Sequence, residues 1–276
     1  MPLARDPFSD LDGERDLRPI VASLEERGRA PSQARLRRRF LRFVPVRPGA
    51  RVLEVGCGTG VVLRDLAALA GRRGEVEGVD ASRRVVAAAR RLCRAAPRSA
   101  PIRVHVADAR ALPWAEGRFD AAVAVTLILH VTDPVAVVRE MARVVRPGGR
   151  VGLQDQDFGT IALTHPDRAL TERILRGVAE GVYAEPHSGR RLPGLLRAAG
   201  LERVRLLADV YQDITLAPYT RIWLERRATR AVEFGITDAA TAQGWLDGFA
   251  AVVAAGAFVM TVNYYGAVGV KPGARR

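Results

Sequence analysis

The chain is poor in three residue types: one lysine, Lys271, two cysteines and four histidines among 276 residues. Two cysteines do not make a disulfide framework, so Cys57 and Cys93 are expected to be reduced and structural. No Cys/His cluster has ligand spacing, so no metal site is expected. Long hydrophobic runs are missing too. "AAVAVTLIL" and "GFAAVVAAGAFVM" are too short for a membrane span, which needs roughly 18–20 residues, or are broken by glycine. The opening "MPLARDPFSDLDGERD" is charged and has no apolar stretch of a secretory signal. A cytoplasmic chain without a membrane span is the expectation.

What is abundant is arginine, which carries almost the whole net charge of +13. Such an excess raises the question of a nucleic-acid partner. The charge is scattered, however: residues 1–50 net +4, 51–150 net +7 and 151–276 net +2. The densest run, "RLRRRFLR" (Arg35 to Arg42), is interleaved with Leu36, Phe40 and Leu41, as in an amphipathic helix with a solvated basic face. A chain-wide preference for arginine over lysine is better explained by codon composition. A nucleic-acid partner is therefore disfavoured, and oligomeric state is open.

Apolar runs alternate with helical patterns. Helical spacing covers about 19–28 and 32–44. "RVLEV", "EVEGVD", "IRVHVAD", "FDAAVAVTLIL" and "RVGLQDQD" read as five strands, separated by helices at "VVLRDLAALA", "SRRVVAAARRLCRAA" and "TDPVAVVREMARVV". Ser82 and Asp133 stand at N-cap positions, with Pro134 at the first helical position. Asp120 reads as a turn acid at a strand entry, and Trp114 as packing under the loop after the third strand. Continuous apolar strands between helices indicate a parallel sheet covered on both faces. Further helices near 167–182, 189–199, 218–233 and 238–254, and strands near 202–210 and over "FVMTVNYYGAVGV", complete the chain.

The glycines of "VLEVGCGTG" follow the first strand and lead into a helix. They bring backbone N–H groups and a helix N-terminus against a ligand. The spacing, Gly56, Gly58, Gly60, is G-x-G-x-G and not the dinucleotide G-x-G-x-x-G, and no Lys-Ser/Thr follows as in a phosphate-binding loop. Glu54 precedes the loop and suits an ammonium group better than a pyrophosphate. Asp80, at the end of the second strand, can accept from ribose hydroxyls. Asp108, at the end of the third, can accept from an adenine amino group.

Together, "VLEVGCGTG", "GVDAS", "VADARALPWAEGRFD" and "LHVTDPVAVVREMARVVRPGGRV" resemble, in order, the motifs of class I S-adenosylmethionine-dependent methyltransferases. Within that family the small-molecule branch is closest, similar to the ubiquinone/menaquinone-biosynthesis type. The likeness covers about residues 45–155, with "LPGLLRAAGLERV" adding a later phrase. It implies an α/β fold: a doubly wound, seven-stranded, mostly parallel sheet with an antiparallel last strand. Residues 1–44 would form a helical cap on a 45–276 methyltransferase domain, and helical insertions near 160–185 and 216–256 would add to the lid. It implies S-adenosylmethionine as cofactor, with S-adenosylhomocysteine as product. Gly56, Cys57, Gly58 and Gly60 would pass under the methionine and ribose, and Glu54 would lie near the amino group. Asp80 and Ala81 would hold the ribose and flank the adenine, Asp108 and Ala109 would take the adenine edge, and Thr126 and Leu127 would border the sulfonium.

The acceptor is less legible. Eleven of the 16 aromatic residues lie after residue 150. An apolar, aromatic-lined pocket for a small molecule is the expectation, with Phe158, His165, Tyr183, Trp223 and Tyr264 as candidate substrate residues; packing of the extra helices is the alternative reading of these aromatics. His105 reads as a core histidine and His187 as a further residue able to face substrate. His130, after the fourth strand, and Asp157, at the end of the fifth, are the candidate catalytic residues. In "LQDQDF", alternation puts Gln154 and Gln156 on one face and Asp155 and Asp157 on the other, and Asp157 with Phe158 is taken as the pocket side. Methyl transfer to O, N or C of a small apolar or aromatic metabolite is the leading reading. Nucleic-acid methylation and a non-methylating cyclase on the same fold are the alternatives; no "NPPY"-like motif follows the fourth strand.

Overall fold

The computed structural model describes residues 6, 8, 11–96 and 100–273. Two helices open it, α1 (Arg18–Arg29) and α2 (Pro31–Phe43). The alternating core follows: β1 (Arg51–Val55), α3 (Val61–Ala70), β2 (Glu75–Asp80), α4 (Arg83–Arg94), β3 (Ile102–Val106), β4 (Phe119–Val125), α5 (Pro134–Val144) and β5 (Val145–Leu163). Then come α6 (Arg168–Val182), α7 (Ser188–Ala198), β6 (Glu202–Asp213), α8 (Pro218–Glu233), α9 (Ala239–Ala254) and β7 (Met260–Val270). The seven strands form one sheet in the order β3-β2-β1-β4-β5-β7-β6. β7 runs antiparallel to both its neighbours and the other pairs are parallel. The order reverses beside β1, which places a crevice outside the carboxyl ends of β1 and β4.

Local chemistry sets the element ends. The Ser82 hydroxyl accepts from Val85 N–H (3.1 Å), Asp133 from Ala136 N–H (3.0 Å), Asp167 from Leu170 N–H (2.8 Å) and Asp238 from Thr241 N–H (2.8 Å). Each satisfies a helix N–H that has no partner within the helix. Two boundaries differ from the sequence expectation. β4 stops at Val125 because Thr126 adopts a left-handed backbone (φ 54°), and Ile128–His130 forms a short 3-10 turn instead of more strand. β5 runs past Asp157 to Leu163, since after a register shift Ala162 and Leu163 pair with the start of β7.

One face of the sheet is covered by α5 and α7 around Leu53, Val138, Met141, Leu153 and Leu192. The other is covered by α2, α3 and α4 around Phe40, Val44, Leu63, Leu66 and Val86. A third apolar cluster joins α6, α8 and α9 to Tyr211 and Tyr264 of the sheet, with Trp245 and Phe249 enclosed. Those aromatics of α9 pack the added helices and do not line a cavity.

α2 is seated by Phe40, which is fully buried. A Cβ on Gly266 would lie 2.8 Å from its ring, and one on Gly152 3.3 Å, so the missing side chains make the seat. Phe40→Ala is expected to lower stability by about 3–5 kcal/mol through the cavity it leaves. Gly266→Ala is expected to cost about 1–3 kcal/mol through overpacking. Urea denaturation checks both; a loss below 1 kcal/mol for Phe40→Ala would mean that α2 is not docked this way.

Candidate functional site

Three adjoining cavities lie at the crevice. Leu24 and Arg27 of α1 and Thr126 after β4 line all three. The first, of about 100 Å³, is formed by Glu54, Gly56, Cys57, Gly58 and Thr59 of the β1–α3 loop against Arg27, Gln33, Arg37, Gln154 and Tyr264. The second, of about 600 Å³, runs past Asp80 and Ala81 to Val106–Arg110 and Val131–Asp133. The third, of about 650 Å³, lies between α1 and α8, bounded by His130, Gln156, Tyr183, Tyr219 and Trp223.

The loop holds its shape by backbone means. Gly56 and Gly58 have φ of 72° and 51°, values that favour glycine. Gly56 N–H donates to the carbonyl of Val79 (2.8 Å), and Gly58 N–H to Oδ2 of Asp80 (2.9 Å). Oδ1 of Asp80 accepts from Ser82 N–H (3.1 Å). Asp80 thus ties the first two strand ends together with its carboxylate at the cavity wall. Burial raises its pKa, and the N–H groups of Ser82 and Gly58 pull the other way.

Glu54 is 2% exposed and its Oε2 has no hydrogen-bond partner among the described residues. Burial first, and then the charge of Asp80, push its pKa well above the ordinary range. A buried acceptor without a partner costs free energy, so a cationic donor entering this cavity is favoured. Facing the same space, Arg37 donates to Asp65 (2.5 Å) and Arg27 donates from Nη1 to the Thr126 hydroxyl (3.1 Å). Burial works against the charge of Arg27, but Tyr264, Tyr219 and Asp155 offset it and its pKa is raised. Thr126, strained at φ 54°, is fixed from both sides, because its N–H also donates to the carbonyl of Gln154 (2.7 Å). Strain of this kind costs about 1–3 kcal/mol and persists where the surroundings fix it.

The structure brings Glu54, Gly56, Cys57 and Gly58 to the first cavity, and Asp80, Ala81, Asp108, Ala109, Thr126, Leu127 and His130 to the second. Asp108 is there engaged by Arg110, with Arg110 Nη2 donating to Oδ2 at 2.7 Å. Tyr183 and Trp223 line the third cavity with His130.

Other expectations are corrected. Gly60 does not line a cavity: a Cβ there would lie 2.6 Å from the Cys93 sulfur, so its bareness lets α4 pack against the loop. The alternation in "LQDQDF" holds, but the faces are the reverse of those assigned. Gln154 and Gln156 line cavities, while Asp157 is turned away, wholly enclosed, and bonded to Arg190 Nη2 (2.9 Å), His187 Nδ1 (3.3 Å) and Gly159 N–H (3.0 Å). Asp157 is a structural ion-pair partner, and His187 is spent on it. Phe158 stands behind the wall, stacked on Tyr183 at 4.8 Å. His165 is held by the Trp245 carbonyl (2.9 Å) beside Gly248 of α9. Tyr264 belongs to the first cavity, where it accepts from Gln33 (3.2 Å) and donates to Gln156 (2.6 Å). His105 is not a core histidine but a half-exposed partner of Glu77 (2.8 Å).

A family model described as a methyltransferase domain matches residues 52–149. The ubiquinone biosynthesis O-methyltransferase of Thiobacillus denitrificans is 32% identical over 63% of this chain and 75% of its own length. The chain belongs to the S-adenosylmethionine-dependent methyltransferases. The 27-O-demethylrifamycin SV methyltransferase of Amycolatopsis mediterranei is 34% identical over 66% of the chain and 62% of its own. Among solved structures, the [4+2]-cyclase SpnF is 26% identical with a TM-score of 0.55, over 89% of this chain and 85% of that one. The chain spans less than two thirds of the length of the first relatives it matches, 64% of one and 62% of the next.

Several residues of the cavities are not read from the sequence: Leu24, Arg27, Gln33 and Arg37. Arg27 is one of many arginines in the sequence. Only its position over the β1–α3 loop distinguishes it. Asp155 shares the face of Asp157 and lines none of the three cavities. It is wholly enclosed, with Oδ2 accepting from Leu129 N–H (3.0 Å) and Oδ1 from Gln156 N–H (3.0 Å). His130, above it, meets Asp6 through Nδ1 at 2.5 Å.

Burial pushes the Asp155 carboxyl up from 3.8 to about 6, with the charge of His130 pulling the other way. The folded chain therefore keeps the proton that the unfolded chain releases. The stability Asp155 contributes is full below pH 3.8 and is lost as pH rises through about 6. Denaturation of wild type and Asp155→Asn across that window should show the wild type losing ground to the variant as pH rises. A difference independent of pH would contradict the assignment.

Proposed function

We propose that this methyltransferase binds S-adenosylmethionine in the first two cavities and methylates an oxygen of a small, planar, apolar or aromatic metabolite in the third. The observation that carries the reading is Glu54, whose buried oxygen lacks a partner beside two arginines. An α-amino acid end has the matching pair of charges: an ammonium for Glu54 and a carboxylate for Arg27 and Arg37. Asp80 would accept from the ribose hydroxyls, and the walls at Val106–Ala109 and Val131–Asp133 would flank the base. No P-loop lysine or third-glycine motif prepares the loop for a phosphate. The residues present therefore fit a cationic, phosphate-free nucleoside.

When bound, S-adenosylmethionine supplies a methyl group on a positively charged sulfur, ready for in-line displacement. The chain's own work is to hold and to exclude. Gly56 and Gly58 let backbone form the floor, while the side chains of Leu127 and Leu24 stand over them at 2.7 Å and 3.6 Å from where a Cβ would be. Thr126, shared by all three cavities, marks where donor and acceptor would meet. Holding two reactants there can supply much of the rate without a strong base. His130 lines the second and third cavities and its Nδ1 is oriented by Asp6 (2.5 Å), so it can take a proton from an acceptor hydroxyl. The O-methyltransferase names of two relatives favour an oxygen acceptor.

A second reading, a cyclase that binds the cofactor and transfers nothing, is favoured by the likeness to SpnF. Methyl incorporation from labelled S-adenosylmethionine into a metabolite extract separates the two.

Calorimetry tests the cofactor site. A cationic ligand beside Glu54 should bring its raised pKa down, so binding should release a proton. The apparent enthalpy should then differ between buffers of different ionisation heat, and the difference should vanish in Glu54→Gln. Asp80→Ala should weaken binding by at least about tenfold, from loss of charge-assisted hydrogen bonds worth about 1.5–3 kcal/mol each. Equal affinity of wild type and Asp80→Ala would place the cofactor elsewhere.

A further inference from the structure

The third cavity is bounded by rings and cations in an unusual arrangement. Trp223 and Tyr183 form its wall, with Phe158 behind Tyr183. These three rings already surround a guanidinium: Arg227 lies 4.2 Å from the Trp223 centroid, 5.0 Å from Phe158 and 5.6 Å from Tyr183. Arg227 is 5% exposed, its Nη2 donates to the Tyr183 hydroxyl (3.4 Å), and its Nε has no hydrogen-bond partner among the described residues. No carboxylate among them forms an ion pair with it. Ring faces that would attract a cationic ligand are thus spent on the protein's own cation.

The cavity's charged lining points the same way. Arg27, Arg29 and Arg226 face it, against Glu25 and Glu26. Glu25 is claimed by Arg64 (2.9 Å) and the Thr59 hydroxyl (2.7 Å). Arg226 donates to the Ser23 hydroxyl (2.6 Å) and Arg27 to Thr126 and Gln33, with the enclosed Asp155 acting on Arg27 through its charge and no ion pair formed by either arginine among the described residues. His130 adds a group that Asp6 already meets. An ammonium ligand here would meet three arginines against one further carboxylate, Glu26, whereas an anion would find Arg27 and Arg226, whose hydrogen bonds go to neutral groups.

We propose that the acceptor is a planar oxygen nucleophile carrying a fixed negative charge, a carboxylate in the simplest case, and that this cavity rejects ammonium-bearing molecules. The flat body lies along Trp223, Tyr183 and Tyr219, and Arg226 at the α8 edge reads the charge. Arg227 is a positioning residue, acting through the rings it holds. The proposal rests on the reading of the third cavity as the acceptor site.

Matched catechols test it: 3,4-dihydroxybenzoate, its methyl ester and 3,4-dihydroxybenzylamine, titrated by calorimetry into protein saturated with S-adenosylhomocysteine. The acid should bind at least about tenfold tighter than the ester, one ion-pair's worth of affinity, and the amine most weakly. Arg226→Gln, an exposed change that leaves the core intact, should cut the acid-to-ester ratio at least threefold while leaving S-adenosylhomocysteine affinity unchanged. Arg227→Met should weaken acid and ester alike. An amine that binds as tightly as the acid would overturn the proposal. So would equal binding of all three, or binding of none at millimolar concentration by protein that does bind S-adenosylhomocysteine. Failure to bind S-adenosylhomocysteine at all would instead remove the cofactor reading beneath it.

Discussion

A carboxylate buried with one oxygen unpaired costs folding free energy, and the site is arranged around such a group, Glu54. Its strand places it beneath the β1–α3 loop, and its neighbour in charge, Asp80, adds to the cost of ionising it. Arg37 pulls the other way, but Oε2 is left without a hydrogen bond among the described residues. The loop above it is kept open by left-handed glycines, and in the proposed reading a ligand supplies the cation that satisfies Glu54. The rest of the cleft follows from this constraint: arginines placed for an opposing carboxylate, a strained Thr126 held at the junction, and Leu24 with Leu127 as apolar covers.

α1 links the three cavities. Leu24 and Arg27 line all of them, so the first and third cavities share a wall. The position of α1 is in turn set by hydrogen bonds to the site itself. Glu25 accepts from Thr59 of the glycine loop and from Arg64 of α3, and Arg27 donates to Thr126. α2, seated on bare glycines of the sheet, gives this helix its base. In the proposed reading, donor site and acceptor site thus share one short helix as a wall.

Much of this was legible in the sequence, and the residues show why. Elements whose edges are set by local chemistry were readable: the caps at Ser82 and Asp133, Pro134 at a helix start, glycines after a strand. The loop and strand-end residues that line the first two cavities are readable because strand ends and loop spacing determine their place. Gly60 shows the limit, since a glycine can serve packing against Cys93 as well as approach to a ligand. The acceptor side depends on which face of a strand looks outward, and alternation fixes pairs without fixing faces. Hence the expectation of Asp157 and Phe158 in the pocket fails where Gln154 and Gln156 stand. Arg27, Arg226 and Arg227 are three among many arginines, distinguished by forming no ion pair among the described residues.

Hydrogen–deuterium exchange with and without S-adenosylhomocysteine tests the central claim that one helix closes a cleft built on Glu54. Protection is expected together in α1, in the loop from Gly56 to Thr59 and at Asp80 to Ser82, and it should be lost from α1 in Arg27→Ala. Exchange in α1 that is unchanged by the ligand, with protection confined to the sheet or absent, would contradict the account.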